Sequence, residues 1–219
     1  MEDELKKSIV KTGTTTIGLV CKDGIVLAAD KRATLGEGIF IGHKSVDKIL
    51  PITDKISVTT AGSVSDVQLL IKLTRAEIRL KKLRTKMEPS VKETASLFGM
   101  LVYENIRKFS PILGVTAFLV GGVDDRGFWL YEVSPDGSNL EHKNFVSTGS
   151  GMVVAYGVLE DSYKEDMGID DGVKLVVKAL TAAMQRDTPT GSGIDVVVID
   201  KNGTRKVVEE EVKQVLIKK

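Results

Sequence analysis

Apolar and polar residues in the first part of the chain alternate with the period of β-strands. Two apolar runs, at 14–21 and 24–29, are separated by a lysine and an Asp23–Gly24 pair, and such a pair between apolar runs is a strong hairpin signal. Two further runs, at 44–50 and 55–60, are interrupted by a proline and an aspartate. We therefore expect the chain to open with several strands, with a glycine-rich loop and a short strand before residue 44.

The period changes to that of an α-helix after residue 62. Ser63 and Ser90 are each followed by apolar residues at intervals of three and four, and Glu93 stands at the capping-box position after Ser90. The second helix is expected to end before Pro111. The predicted apolar stripes are Val67, Leu70, Ile71, Thr74 and Ile78 in the first helix, and Val91, Ala95, Phe98, Val102, Ile106 and Phe109 in the second.

The rest of the chain repeats this order of strands followed by two helices. Strands are predicted at 114–123, 128–134 and 144–147, helices at 153–163 and 172–186, and final strands at 194–200 and 205–208 before a charged terminal helix. No linker or internal repeat divides the chain. The pattern therefore predicts one domain in which sheets lie between helical layers.

Composition excludes several classes of function. The 219 residues carry a net charge of +1, which offers no electrostatic footprint for nucleic acid or a membrane surface. No apolar window approaches the roughly 20 residues needed to span a bilayer. One cysteine allows no internal disulfide, and with two histidines a zinc site is disfavoured. We expect an intracellular, cytoplasmic protein with no metal, cofactor, nucleic acid or membrane partner.

A glycine and three threonines, in the stretch KTGTTTIG, form the start of the first predicted strand. If the chain were cut between Gly13 and Thr14, the new terminal threonine would carry a hydroxyl nucleophile and an α-amine that activates it. Gly13 suits such a cut because a residue without Cβ leaves its carbonyl approachable. The polar segment 1–13 would then be a removable propeptide. An ordinary frayed terminus and a β-branched strand start are the alternatives.

Charged and small polar residues follow several predicted elements. Asp30 follows a buried strand, where a charge needs a partner, and Lys48 shares a predicted strand face with two apolar residues, so these two side chains are candidate partners. Ser150 lies in the turn STGSG before a helix, which exposes backbone amides and a hydroxyl. Asp187 ends another helix and opens the loop DTPTGSG. A helix cap and a helix-end turn are the alternative interpretations of Ser150 and Asp187.

These motifs, taken in order, resemble the β-subunits of the proteasome core particle, most closely the archaeal type, and through them the N-terminal nucleophile hydrolases. The resemblance rests on TGTTTIG, AADKRAT, the DKI that contains Lys48, TTAG, STGSG, YGVLED and AAMQRD, and it covers nearly the whole chain. It implies an α+β fold, a four-layer αββα sandwich of two antiparallel sheets between helical layers. Residues 14–219 would form this single domain after a 1–13 propeptide.

The resemblance also implies a role for each site residue. Self-cleavage between Gly13 and Thr14 would expose Thr14 as the nucleophile. A protonated Lys48 would lower the pKa of the α-amine and so leave it neutral, as a base must be. The remaining implied roles are ion-paired support by Asp30 and Lys48, binding of the amine by Ser150 and Asp187, a hydroxyl from Thr190 where the family usually has serine, an oxyanion donor in the Gly62 amide, and a specificity pocket at Ala33, Thr60 and Val64.

The function implied is that of a threonine-type endopeptidase that degrades unfolded polypeptides inside a barrel of stacked heptameric rings. Its partners would be α-subunits, other β-subunits and a regulatory ATPase that acts through the α rings. A catalytically silent or unprocessed structural β-ring subunit is the alternative. A bacterial two-ring protease shares the ATLG string at 33–36 but is shorter, and α-subunits begin with a helical extension and carry no terminal threonine.

Overall fold

The computed structural model describes residues 11–35 and 38–212 of the chain. The strands in this part are β1 (Lys11–Thr12), β2 (Thr15–Cys21), β3 (Gly24–Asp30), β4 (Ala33–Leu35), β5 (Phe40–His43), β6 (Ile49–Thr53), β7 (Ile56–Ser63), β8 (Thr116–Asp124), β9 (Gly127–Val133), β10 (Asn139–His142), β11 (Phe145–Gly149), β12 (Gly193–Asp200) and β13 (Gly203–Glu211). The helices are α1 (Val64–Thr85), α2 (Val91–Arg107), α3 (Met152–Ser162) and α4 (Ile169–Arg186).

The described strands form two antiparallel sheets. One sheet has the order β10-β9-β8-β7-β1-β4-β5, with β6 also paired to β7, and the other has the order β11-β2-β3-β12-β13. Strands that are distant in the chain therefore become neighbours, since β2 lies between β3 and β11, and β3 lies between β2 and β12. This pairing brings residues from both halves of the chain to the start of β2.

Each sheet buries one face against helices and the other face against the second sheet. Helices α1 and α2 pack on β7, β8 and β9, whereas α3 and α4 pack on β2, β3 and β12. The predicted four-layer sandwich is confirmed. The layer between the sheets contains Ile25, Leu27, Ala29, Ile49, Leu119, Val123, Leu130, Val146, Val197 and Ile199.

Strand β3 explains why the apolar run of the first hairpin has no polar interruption. Ile25 and Leu27 face the layer between the sheets, while Val26 and Ala28 face α3 and α4. Because both faces of the strand are covered, every position is apolar until the strand ends at Asp30. The predicted hairpin with β2 is also confirmed, with Cys21 opposite Gly24.

The predicted start of the second helix is confirmed in its capping geometry. Ser90 accepts a hydrogen bond from the Glu93 amide, and the Glu93 carboxylate accepts one from the Ser90 amide. The predicted end of the stripe is wrong, because α2 ends at Arg107 and Phe109 is fully exposed. No helix in the described part of the chain has the length and apolar character needed to cross a bilayer.

The predicted strand at 44–50 is wrong, and with it the strand face that was assigned to Lys48. Strand β5 ends at His43, β6 begins at Ile49, and the residues between them have no regular structure. Pro51, at which the apolar pattern predicts a break, lies inside β6, and among the described strands β6 pairs only with β7. An edge strand tolerates proline because the missing amide is not needed for a second partner.

Two further differences concern short or charged segments. Strand β10 was not predicted, because Asn139–His142 is a four-residue edge strand without apolar alternation. At the other end, β13 continues to Glu211 opposite Gly193, so the first residues assigned to a terminal helix belong to a strand. The rest of that helix, at 213–219, lies outside the described residues.

Candidate active site

Thr14 lies immediately before β2 and is completely buried. The start of β2 is fixed because Thr15 pairs with Gly149 of β11. Gly149 has a φ of +96°, and a Cβ at this position would lie 2.1 Å from the Thr14 carbonyl oxygen. Glycine is therefore required at 149 both by its backbone conformation and by the close approach of Thr14.

The Thr14 hydroxyl is in direct contact with a buried ion pair. Lys48 Nζ donates to Thr14 Oγ1 and lies 2.7 Å from Asp30 Oδ1. Lys48 Nζ also donates to the carbonyl oxygen of Gly13 at 3.1 Å. Its three acceptors match the three protons of an ammonium group. The predicted contact of Lys48 with Asp30 is thus present, and it extends to both sides of the Gly13–Thr14 bond.

The Asp30 carboxylate is held by backbone amides as well as by Lys48. The Thr15 amide donates to Oδ1 at 3.1 Å, and the amides of Arg32 and Gly191 donate to Oδ2 at 3.1 and 2.9 Å. These backbone contacts fix the Asp30 side chain at the end of β3, so its position does not depend on Lys48 alone.

Lys48 reaches the site from the irregular segment before β6. Its carbonyl oxygen accepts hydrogen bonds from the Thr60 amide at 2.9 Å and from Thr60 Oγ1 at 3.3 Å, which attach the segment to β7. Complete burial lowers the pKa of Lys48, and the opposing attraction of Asp30 does not restore it. A lysine with a lowered pKa can exchange a proton with a neighbouring hydroxyl.

A second chain of polar groups lies on the amide side of Thr14. The Thr14 amide donates to Ser150 Oγ at 3.3 Å, and Ser150 Oγ donates to Asp187 Oδ2 at 2.7 Å. Thr190 Oγ1 also donates to Asp187 Oδ2 and lies 2.8 Å from Thr15 Oγ1. The threonine at 190 thus keeps the hydroxyl contacts expected there, and all the residues predicted to surround the Thr14 nitrogen are brought together.

Strand β1 occupies the groove between β4 and β7, beside Thr14. Thr12 pairs with Gly62 and Lys11 pairs with Ser63, while Lys11 also pairs with Thr34 of β4. Gly62 has a φ of +111° and carries the backbone predicted to bind the oxyanion. The end of the segment predicted to be a propeptide is therefore an inserted strand, which sequence reasoning did not anticipate.

Two of the residues predicted to line a specificity pocket lie on the strands that flank β1, and the third lies at the start of the helix that follows β7. Ala33 begins β4, Thr60 belongs to β7, and Val64 is the first residue of α1. Ala33 and Thr60 are buried and Val64 is half-buried. Thr60 differs from the prediction in one respect, because its hydroxyl also supports the Lys48 carbonyl.

Sequence reasoning missed several residues that support the site. The Arg32 guanidinium donates to the Thr188 carbonyl at 2.7 Å and to Ser192 Oγ at 3.3 Å, and so attaches the loop after α4 to the end of β3. Gly151 donates its amide to the Thr14 carbonyl at 3.4 Å. Gly151 lies in the string STGSG, and Thr188 and Ser192 lie in DTPTGSG, so the glycine density of these two strings was the available signal. Arg32 lies in AADKRAT, which contains no glycine and offered only its place in a charged run.

Within residues 11–35 and 38–212, no three His, Cys, Asp or Glu side chains are grouped so that they could hold a metal ion. The polar groups around Thr14 are instead one lysine, two carboxylates and three hydroxyls, joined by hydrogen bonds. This arrangement places a hydroxyl that can act as a nucleophile beside an amine that can accept a proton and beside carboxylates. It is suited to attack on a carbonyl group.

Two antiparallel sheets stacked between helical layers, with a threonine at the start of a strand of one sheet, form the α+β sandwich of the N-terminal nucleophile hydrolases. The family model described as "Proteasome subunit" matches residues 10–199. The chain therefore belongs to the proteasome subunit family.

Three relatives from archaea carry the name proteasome subunit beta. The protein of Ferroglobus placidus is 45% identical over 206 residues, which cover 94% of this chain and 95% of that protein. The protein of Archaeoglobus fulgidus is 44% identical over 206 residues, covering 94% of each. The protein of Archaeoglobus profundus is 44% identical over 216 residues, covering 99% of this chain and 97% of that protein.

Proposed function

We propose that this chain is a proteolytic β-subunit of the proteasome core particle, with Thr14 as the nucleophile of a threonine-type endopeptidase. The observation that carries the proposal is the contact of the buried Thr14 hydroxyl with Lys48, whose ammonium is paired with Asp30. Burying a lysine and an aspartate beside a hydroxyl costs free energy. A role of the pair in activating that hydroxyl accounts for this cost.

Self-cleavage is the first reaction, and Lys48 serves as its base. Before cleavage the Thr14 nitrogen is a peptide amide, so no α-amine exists to accept the hydroxyl proton. Thr14 Oγ1 adds to the Gly13 carbonyl carbon while its proton passes to the neutral form of Lys48. The bond from Gly13 to the Thr14 nitrogen then breaks, and the proton moves from Lys48 to that nitrogen. Water hydrolyses the resulting ester, which leaves a Gly13 carboxylate and restores the Thr14 hydroxyl.

The released α-amine lies next to the hydroxyl for later substrates. Its nitrogen already contacts Ser150 Oγ, which is bound to Asp187. These groups orient the amine so that it can take the Thr14 proton, as in other enzymes that use a terminal threonine. Lys48 and Asp30 then provide the electrostatic support predicted from the sequence. The Gly62 amide, in the strand opposite Thr12, is assigned as donor to the oxyanion.

Substrates are assigned to the groove that β1 occupies. Strands β4 and β7 flank β1 on both sides, and an extended polypeptide can pair with both after β1 has left, as in other cases of β-strand addition. Only an unfolded chain can offer its backbone in this way. The pocket residues Ala33, Thr60 and Val64 are uncharged, so we expect no preference for acidic or basic side chains before the cleaved bond.

The family and the names of the relatives support assembly with other proteasome subunits. We propose stacked heptameric rings of α- and β-subunits in the cytoplasm, with a regulatory ATPase that delivers unfolded substrates through the α rings. Enclosure in such a barrel keeps a nonspecific protease away from folded proteins.

Intact mass of the chain, co-expressed with an α-subunit, tests the proposal. The wild-type chain should lose residues 1–13 and then cleave a fluorogenic peptide. Thr14→Ala should keep residue 1 and be inactive, while Thr14→Ser, which keeps a hydroxyl, should still be processed. Trimming of Thr14→Ala at the same bond would assign cleavage to another protease. A fully assembled wild-type particle that is neither processed nor active would instead identify a structural subunit.

A further inference from the structure

Gly13 precedes the bond that self-cleavage would break, yet its backbone does not require glycine. Its φ lies outside the left-handed region, unlike those of Gly62 and Gly149 at the same site. Any L-amino acid can adopt such a conformation. If only glycine works at this position, the reason must be the space around it.

That space is filled by Pro189. A Cβ at position 13 would lie 2.0 Å from Pro189 Cβ, 3.0 Å from Pro189 Cγ and 3.2 Å from Thr34 Oγ1. The shortest of these distances is far inside van der Waals contact, and the atom concerned belongs to a rigid ring rather than to the end of a flexible side chain. A side chain at 13 can therefore be accommodated only if Gly13 or Pro189 moves.

Pro189 is prevented from moving by the loop in which it lies. The Thr190 amide donates to the Asp187 carbonyl at 3.1 Å, and the preceding Thr188 carbonyl accepts from Arg32 at 2.7 Å. Gly191, two residues further on, donates its amide to Asp30. A shift of Pro189 would disturb the contacts of Asp187 and Asp30 at once, so a larger residue at 13 would displace position 13 instead.

We propose that Pro189 is a positioning and specificity-determining residue for self-cleavage: it packs against position 13 and admits only glycine before the nucleophile. The inference rests on the proposed function. The Gly13 carbonyl oxygen is bound by Lys48 Nζ at 3.1 Å, and displacement of residue 13 would withdraw this carbonyl from Lys48 and from the attacking hydroxyl. A misplacement of about 1 Å can cost roughly 10²-fold in rate.

Rescue between the two positions tests the inference. Processing of the full chain, assembled with an α-subunit, is followed by intact mass against time. We expect Gly13→Ala to slow loss of residues 1–13 by about 10²-fold. Adding Pro189→Gly, which removes the clashing Cβ, should restore the rate to within about tenfold of that of Pro189→Gly alone. The restoration is incomplete because glycine at 189 makes the loop more flexible.

Two matched variants separate space from flexibility. Pro189→Ala keeps the Cβ that lies nearest to position 13, so it should not rescue Gly13→Ala. Thr188→Gly loosens the same loop but leaves Pro189 in place, so it should not rescue either. If Pro189→Ala or Thr188→Gly rescued Gly13→Ala as well as Pro189→Gly does, the inference would be overturned. Processing of Gly13→Ala at the wild-type rate would also overturn it.

A second measurement does not depend on cleavage. In the Thr14→Ala chain, which keeps its N-terminal segment, Gly13→Ala should lower Tm by about 2–4 °C, a shift typical of a single destabilising substitution in a domain of this size. The decrease should vanish in the presence of Pro189→Gly. Absence of this coupling would overturn the inference even if Thr14 is the nucleophile. Failure of the wild-type chain to cleave at all would overturn the proposed function as well.

Discussion

Two buried lysines, Lys48 and Lys31, each lie beside a buried aspartate, but their pKa values shift in opposite directions. Lys48 Nζ is 2.7 Å from Asp30 Oδ1, and burial lowers its pKa. Lys31 Nζ is 3.4 Å from Asp195 Oδ1 and 3.3 Å from Glu209 Oε1. Burial acts to lower the pKa of Lys31 as well, but the two carboxylates outweigh it and the pKa is raised.

The depth of each ammonium in the protein, together with the charge of its neighbours, explains this difference. Lys48 has one carboxylate, and its other acceptors, the Thr14 hydroxyl and the Gly13 carbonyl, are neutral. The positive charge of Arg32 lowers its pKa further, and the weaker attraction of Asp187 does not offset this. Lys31 has two carboxylates, one of which, Glu209, is solvent-exposed. A buried ammonium that contacts one carboxylate gives up a proton more readily than one that contacts two.

The comparison indicates that burial of a lysine does not by itself mark a catalytic group. Lys31 is almost as buried as Lys48, with 2% of its side chain exposed, yet its contacts serve to connect β3 to β12 and β13. Lys48 differs because its contacts include the Thr14 hydroxyl, which we propose as the nucleophile, in place of a second carboxylate.

Removal of Lys48 should have the largest effect. Lys48→Ala should lower the rate of self-cleavage by at least ~10² to 10⁴-fold, the range for a positioned proton-transfer group. The fold should survive, because three backbone amides still bind Asp30. Lys48→Arg should be similarly slow because guanidinium does not release a proton. The measurement is intact mass against time in assembled particles, and cleavage at the wild-type rate in Lys48→Ala would make Lys48 purely structural.

The pH dependence of self-cleavage should identify the base. If neutral Lys48 accepts the Thr14 proton, the rate should rise about tenfold per pH unit and level off at an apparent pKa below 10.5, the ordinary value for lysine. Lys31→Met should leave this profile unchanged. A profile that levels off at the same pH in Lys48→Arg would assign the titration to another group.

Removal of Lys31 should affect stability rather than chemistry. Lys31→Met leaves Asp195 buried, but Lys206 Nζ is also 3.4 Å from Asp195, so the loss should be below the ~3–5 kcal/mol typical of a broken buried pair. Denaturant unfolding of the Thr14→Ala chain measures it. A change of cleavage rate as large as that of Lys48→Ala, in a folded particle, would contradict the distinction between the two lysines.

The same unfolding experiment should give opposite pH trends for the two lysines. Because the folded-state pKa of Lys48 is lowered, its unfavourable contribution is fully present below that pKa and is relieved as pH rises towards 10.5. The folded-state pKa of Lys31 is raised, so its favourable contribution is present below 10.5 and is lost as pH rises through the folded value. Replacement by methionine should remove each trend, and trends of the same sign would contradict the comparison.

The smallest effect is expected at Thr190, which provides a hydroxyl without a charge. Thr190→Ser should cleave within about threefold of wild type, because it keeps the contacts with Asp187 and Thr15. Thr190→Val has nearly the same shape but loses the hydroxyl contacts with Asp187 and Thr15. A net loss of about 1–1.5 kcal/mol should slow peptide hydrolysis about tenfold. Peptide hydrolysis by processed particles measures both, and equal rates for serine and valine would remove Thr190 from the site.

The local elements and the candidate nucleophile could be predicted from the sequence. The hairpin at Asp23–Gly24, the capping box at Ser90 and the apolar face of α4 each depend on residues within one or two turns of the chain. The position of Thr14 after Gly13 and before an apolar run has the same local origin. These features follow from backbone sterics and from the period of apolar residues, which a short window of sequence contains.

The composition of the site was decided by the tertiary structure. Lys48 is 34 residues from Thr14, and Ser150 is 136 residues from it; their contacts arise from the pairing of Thr15 with Gly149 and of β6 with β7. The irregular approach of Lys48, the insertion of β1 between β4 and β7, and the packing of Pro189 on Gly13 have no local signal. The pKa of Lys48 belongs to the same group, because it depends on how many charges and how much water the folded chain leaves around one ammonium.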